Sequence, residues 1–307
     1  RSLLASSLQN MPDAGFLAAL QADRSLYQHQ EQAISKVLDG RNVVVATGTG
    51  SGKTECFLYP ILLHLYNEFL NKSLGPGARA LILYPMNALA NDQRERLGKI
   101  CKKLKDVGSP FQFTFGRYIG ETPENENDSY RNALEHLNNR LEGELVLRSE
   151  MRETPPHILL TNYSMLEYLL LRPYDSALFD NGRANAWRFI VLDEAHQYRG
   201  ANGIEMAMLI RRLKQRLREG GRFEPFTCIA TSASLTGGKD DTQFVADFAS
   251  KLFGESFDSN DTILGETIPI TKLREQSLSP DDYTMFHDII VNDAPGPEKL
   301  AKAAERL

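Results

Sequence analysis

The run Val43-Val44-Val45 leads directly into Ala46-Thr47-Gly48-Thr49-Gly50-Ser51-Gly52-Lys53-Thr54, and a helical pattern follows. Strand, glycine-rich loop and helix in that order are what a phosphate-binding loop requires. Glycines let the backbone wrap a phosphate with several N–H groups pointing inward, and the helix adds its positive N-terminal end. The candidate cradle therefore comprises Thr47, Gly48, Thr49, Gly50, Ser51, Gly52, Lys53 and Thr54. Lys53 is placed to reach the β- and γ-phosphates of a nucleotide, and Thr54 to offer its hydroxyl to Mg2+. One position departs from the usual GxxxxGK[ST] spacing, with Thr47 where the first glycine would stand.

Around this loop, short apolar β-rich runs alternate with helical stretches: Asn42 to Ala46, Ala80 to Tyr84, Phe111 to Tyr118, His157 to Thr161, Arg188 to Leu192 and Phe226 to Ala230. Few polar residues interrupt them, as expected for strands buried on both faces. The pattern predicts an α/β fold, a mainly parallel sheet with helices on both faces. Glu121 to Ser129 reads as a polar loop and Asn132 to Arg148 as a stretch able to supply a helix. We expect an N-terminal extension over 1–20, one nucleotide-binding lobe over 21–270, and a helical linker or the start of an insertion over 271–307.

Composition removes several classes of function. Hydrophobic residues make up 42% and charged residues 24% of 307, which is ordinary for a globular chain and unlike a disordered or fibrous one. The longest apolar stretch, Phe57 to Leu65, contains Pro60 and His64 and is far shorter than the roughly 18 to 20 residues of a membrane span. Cys56, Cys101 and Cys228 are widely separated, which argues against a disulfide framework or a zinc site and fits a reducing cytoplasm. The net charge of -5 means that any nucleic-acid contact must come from a local surface. The chain opens Arg1-Ser2-Leu3, without an initiating Met, and reads as a piece of a longer protein.

A second motif carries chemistry. Ile190-Val191-Leu192-Asp193-Glu194-Ala195-His196 sets two carboxylates at the end of an apolar strand, the edge of an open α/β sheet where ligands collect. Asp193 is the candidate Mg2+ holder. Glu194 is the candidate base that orients and deprotonates the water attacking the γ-phosphate.

With both motifs in place, the chain resembles the superfamily 2 DExH/DEAD-type helicases over roughly residues 20 to 270, as the first of their two RecA-like lobes. The resemblance makes Gln30, in Tyr27-Gln28-His29-Gln30, the adenine-reading glutamine, with Tyr27 beside it. An amide can both donate to and accept from adenine. Tyr84-Pro85-Met86-Asn87-Ala88-Leu89-Ala90-Asn91-Asp92-Gln93 is similar to the motif that meets the nucleic-acid backbone at a helix start, with Asn87 in place of an arginine. The resemblance assigns contacts to Pro85, Met86, Asn87 and Gln93, and further ones to Gly120, Thr161 and Asn162. Such contacts position a strand without reading its sequence. Thr231-Ser232-Ala233-Ser234 is similar to the motif whose hydroxyls couple to the DEAH histidine, which makes His196, Ser232 and Ser234 coupling residues.

Gly120-Glu121-Thr122-Pro123, Leu160 to Leu166 and Tyr198-Arg199-Gly200 are similar to the large MrfA/YprA-like and Hrq-like helicases and to phage-defence helicases of the DruE and DrmA kind. That resemblance implies ATP and Mg2+ as ligands and DNA as the nucleic-acid partner, in DNA repair or phage defence in a bacterial cytoplasm. It also implies a second RecA-like lobe, further domains of the same protein and other defence-system subunits as partners. The arginine fingers of such a second lobe are expected outside this chain, since no QxxGRxGR-like motif follows residue 235.

Two features stay open to ordinary explanations. Arg211-Arg212-Leu213-Lys214-Gln215-Arg216-Leu217-Arg218 reads as a solvated helix face with leucines packed inward, against the alternative of a phosphate track. Phe111, Phe113 and Phe115 alternate along one strand face and read as core rather than as base-stacking residues. Three functions fit the whole: a helicase or translocase motor, a duplex pump that does not separate strands, and a nucleotide-gated binding module.

Overall fold

A computed structural model of the chain describes residues 14–20, 25–233 and 241–265. Its centre is an eight-stranded sheet in the order β4-β3-β5-β2-β6-β7-β1-β8, in which every pairing is parallel. The strands are β1 (Val43–Ala46), β2 (Ala80–Tyr84), β3 (Phe115–Arg117), β4 (Glu144–Leu145), β5 (Ile158–Asn162), β6 (Phe189–Leu192), β7 (Thr227–Ser232) and β8 (Thr262–Leu264).

Side chains alternate between faces with period two, and here both faces are covered. Val43, Val45, Ile82, Leu160 and Val191 point into one core with Phe57, Leu62 and Tyr66 of the helix Lys53–Leu70. Val44, Leu81, Leu159 and Ile190 point into a second core with Trp187 and with Leu213 and Leu217 of the helix Gly200–Glu219. All three cysteines are buried and free, and burial pushes each thiol well above its ordinary value.

One local expectation needs correction. The run Phe111 to Tyr118 is strand only at Phe115–Arg117. Just before it, the amide of Thr114 donates to the His157 ring at 2.9 Å instead of to a neighbouring strand, so the ladder begins one residue later. Phe111, Phe113 and Phe115 are nevertheless all buried in the first core, with the Phe111 ring packed edge-on against Phe16 and Tyr66. The stretch Asn132 to Arg148 does supply a helix, Ala133–Asn138, then turns into β4 and ends at the first residue of the helix Arg148–Glu153. Gly143 makes that turn at φ +73°, where a Cβ would lie 2.6 Å from Cys101 Sγ, and its carbonyl accepts from Phe115 N. Finally, β8 is an edge strand that no apolar run announced, pairing with β1 at Val44, Val45 and Ala46. The boundary expected near residue 270 and the linker 271–307 lie outside the described residues.

Because all the strands run one way, their C-terminal ends share one edge. The phosphate loop leaves β1, the helix Asn87–Asp106 follows β2, the acidic pair leaves β6, and Ser232 ends β7 beside Ala46. Sequence segments nearly two hundred residues apart therefore meet along one line.

Candidate nucleotide site

The loop from Thr47 to Gly52 closes on itself through its own polar groups. Thr47 and Ser51 hydroxyls meet at 2.6 Å, and Thr47 N donates to Ser232 O. Lys53 Nζ turns back into the loop and donates to the carbonyls of Thr47 and Gly48, each at 3.1 Å. Among the described residues this buried ammonium is held by neutral carbonyls, which it is ready to exchange for an anion, because hydrogen bonds between charged groups are the stronger ones. Gly52 caps the Lys53–Leu70 helix in the left-handed conformation, φ +76°, where a Cβ would lie 2.4 Å from Gln30 Nε2. No other residue fits both the angle and the space.

The Gln28–Leu38 helix fixes this loop from the side. Gln30 Nε2 donates to Gly52 O at 2.8 Å, while Gln30 Oε1 accepts the Tyr27 amide at 2.9 Å. Gln30 is only 2% exposed, yet each half of the amide keeps capacity for a second bond, one N–H and one lone pair. Its neighbour His29 donates from Nε2 to Ser51 O at 3.0 Å and stacks beside Tyr27. Burial holds the His29 pKa below its ordinary value, so the ring is a neutral donor. His29 was not singled out in the sequence, although it sits inside the quoted Tyr27 to Gln30 stretch.

At the end of β6, Asp193 and Glu194 face the loop. Asp193 Oδ1 accepts from the Thr231 hydroxyl and from the Glu194 amide. Burial raises the Asp193 pKa, the adjacent Glu194 charge adds to the rise, and Thr231 and Lys53 oppose it. A desolvated carboxylate beside a second carboxylate is relieved by a cation, so this donor set, with the Thr54 hydroxyl, fits Mg2+. Glu194 adopts φ +51°, a left-handed backbone that is costly outside glycine and common at working sites. Its Oε2 is buried without a hydrogen bond among the described residues and lies 3.2 Å from His196 Nδ1. His196 Nδ1 also faces Ser232 Oγ at 3.3 Å, so the acidic turn and the end of β7 touch through this histidine. Thr231, the first residue of the Thr231-Ser232-Ala233-Ser234 motif, is the side chain that holds Asp193. Ser234 lies outside the described residues.

The residues expected on a nucleic-acid surface divide. Asn162 Nδ2 donates to Asn87 Oδ1 at 2.8 Å, and Asn162 also caps its own helix by accepting from Met165 N. Pro85 is partly buried, Met86 beside it is exposed, and Gly120 is exposed with its carbonyl turned to Arg131 and Arg148. Thr161 does not reach the surface: it is 0% exposed, and its hydroxyl donates to Tyr118 O within the sheet. Gln93 departs from expectation in another way, donating from Nε2 to Thr54 Oγ1 at 3.2 Å. One turn further, Arg96 pairs with Glu55 at 2.5 Å. The helix Asn87–Asp106 is thereby fastened to the first turn of the phosphate-loop helix.

Comparison with known proteins agrees with this arrangement. The DEAD/DEAH box helicase family matches residues 27–242. The Druantia protein DruE of Escherichia coli (strain UMEA 4076-1) is 35% identical, across 72% of this chain and 16% of that protein. The ATP-dependent helicase YprA of Bacillus subtilis (strain 168) is 33% identical, across 70% of this chain and 24% of that protein. The crystal structure of the DUF1998 helicase MrfA bound to DNA superposes with a TM-score of 0.60 at 28% identity, across 83% of this chain and 30% of that one. The chain thus spans less than a third of each of these proteins. From the nucleotide loop on β1 to the acidic turn on β6, this chain has the RecA-like fold and belongs to the DEAD/DEAH box helicase family.

Proposed function

We propose that this chain is the first motor lobe of an ATP-driven DNA helicase or translocase, serving DNA repair or antiviral defence. The observation that carries the reading is the gathering of Lys53, Thr54, Asp193 and Glu194 Oε2, which has no hydrogen bond among the described residues, along one sheet edge next to His196 and Ser232. In this reading Lys53 leaves its two carbonyls for the β- and γ-phosphates of ATP. Thr54 and Asp193 hold Mg2+, which when bound screens the charge on the phosphate oxygens. Glu194 Oε2, with an open lone pair, takes the proton of the attacking water. His196 and Ser232 relay the state of the acidic turn to the end of β7. Met86, Asn87, Asn162 and the backbone at Gly120 form the nucleic-acid face, and a second lobe completes the track.

Homology to DruE, YprA and MrfA supports DNA as the track, because MrfA was crystallised with DNA. The test is steady-state ATPase of the full-length protein. Single-stranded DNA should stimulate it several-fold and single-stranded RNA less. Equal, unstimulated rates with both would remove the motor reading and leave a nucleotide-gated binding module.

Gln30→Ala tests the adenine assignment. The substitution removes both the adenine-pairing amide and the bond to Gly52 O, so ATP should bind more weakly and its preference over GTP should shrink. Loss of one or two hydrogen bonds corresponds to about 1–3 kcal/mol, roughly 5- to 150-fold. Competition titration with ATP and GTP separates the two effects. Equal weakening of both nucleotides would make Gln30 a clamp on the loop and nothing more.

A further inference from the structure

A second concave surface lies between the helices Gly200–Glu219 and Thr242–Phe253, the first of which starts four residues after His196. Its apolar end is a groove of about 390 Å³ floored by Tyr198, Ala207, Phe248 and Leu252 and edged by Ile204 and Met208. Ile204 and Met208 are 65% and 60% exposed, which is high for large apolar side chains lying side by side. The groove continues past Met208 and Arg211, which line both parts, into a wider cleft whose lining is basic, with Glu219 its one acid.

Position along the helix explains the shape. Ile204, Met208, Arg211, Gln215 and Arg218 are spaced four, three, four and three residues apart, so they form one exposed stripe. Other cations of the tract are neutralised from within: Lys214 by Glu255 at 2.5 Å, Arg216 by Asp180 at 2.5 Å and Arg212 by Glu167 at 3.5 Å. Most of the tract therefore serves the fold. Arg211 is braced by the carbonyls of Ala207 and Lys251, and Arg211, Arg218 and Lys251 have no carboxylate partner among the described residues. One further group points to a ligand. Tyr198 is 6% exposed, and its buried hydroxyl has no hydrogen-bond partner among the described residues. Burial, and after it the nearby Asp193 charge, hold its pKa above the ordinary value.

We propose that this groove is a docking site for an acidic peptide segment carrying one large apolar side chain. The apolar side chain covers Ile204, Met208 and Phe248, the Tyr198 hydroxyl donates to a carbonyl of the incoming backbone, and the acidic residues run along Arg211, Lys251 and Arg218. A nucleic-acid backbone would satisfy the three cations and leave the apolar end bare, so the combination selects a peptide. The proposal is independent of the roles given to Lys53 and Glu194.

The test uses the 307-residue chain carrying 13C-methyl methionine. The probe is a fluorescein-labelled Glu/Asp peptide of about eight residues with one central leucine, long enough to cover the stripe when extended. Saturable binding that moves the Met208 methyl signal and spares buried Met206 is expected. Met208→Glu and Arg211→Glu, both at exposed positions, should each weaken it by at least about 10-fold, as should alanine for leucine in the peptide. ATP affinity of both variants should match that of the parent, which verifies their folding. The proposal is overturned if Met208 does not move, if the alanine peptide binds as tightly as the leucine one, or if an oligo-dT strand moves Met208 at lower concentration than the peptide does.

Discussion

Replacing Glu194 by glutamine should slow ATP turnover of the full-length protein by about 10^2 to 10^4, the usual contribution of a positioned base, while ATP still binds. The amide matches the carboxylate in size, so the left-handed backbone at φ +51° and the contacts of Asp193 are kept. What is lost is the acceptor at Oε2, the buried oxygen that makes no hydrogen bond among the described residues. Single-turnover kinetics with excess protein isolate the chemical step from product release. Turnover within a few-fold of the parent would transfer the base role away from Glu194. Asp193, already bonded by Thr231 and by the Glu194 amide, would be a poor substitute, because its remaining capacity is the part suited to a cation.

The second large effect concerns the isolated chain, which should bind ATP with Mg2+ but hydrolyse it about 10^3 to 10^5 more slowly than the full-length protein, the range that an arginine finger supplies in related phosphoryl transfer. Among the described residues near the site, Lys53 is the one cation turned into the loop; Arg96 is tied to Glu55 on the far side of Thr54. Charge developing on the γ-phosphate thus meets no second cation among the described residues. For the same reason DNA binding by this chain alone should be weak and fall steeply with salt. Turnover by the isolated chain at the full-length rate would show that the missing cation is not needed.

The parts of the site that were legible in the sequence are those whose chemistry sits in contiguous residues. The loop through Lys53 and Thr54 and the Asp193–Glu194 pair each state their function in a few positions, and a parallel sheet brings such strand ends together without further information. The His196–Ser232 contact was implied by the family resemblance of the two motifs, and both residues lie at ends of neighbouring strands. Contacts that depend on how a helix is rolled against its neighbour were not legible. Gln93 lies on a helix start that resembles a nucleic-acid contact, and only the packing of Asn87–Asp106 against the Lys53 helix turns its amide to Thr54. Thr161 illustrates the opposite case: a small hydroxyl residue at a strand end can face either way, and here period-two alternation puts it inside the sheet. The short strands β4 and β8, of two and three residues, carry too little periodicity to stand out from the surrounding polar sequence.

The central claim, that this chain is a nucleotide-binding lobe working through Lys53, is tested most directly by calorimetric titration of ATP with Mg2+ into the 307-residue chain and its Lys53→Ala variant. The parent should bind one ATP per chain. The variant should lose about 2–4 kcal/mol, roughly 30- to 1,000-fold in affinity, because an ammonium that would make two charge-assisted bonds to phosphate is gone. Unaltered affinity in Lys53→Ala, or no binding by a folded parent chain, would contradict the account.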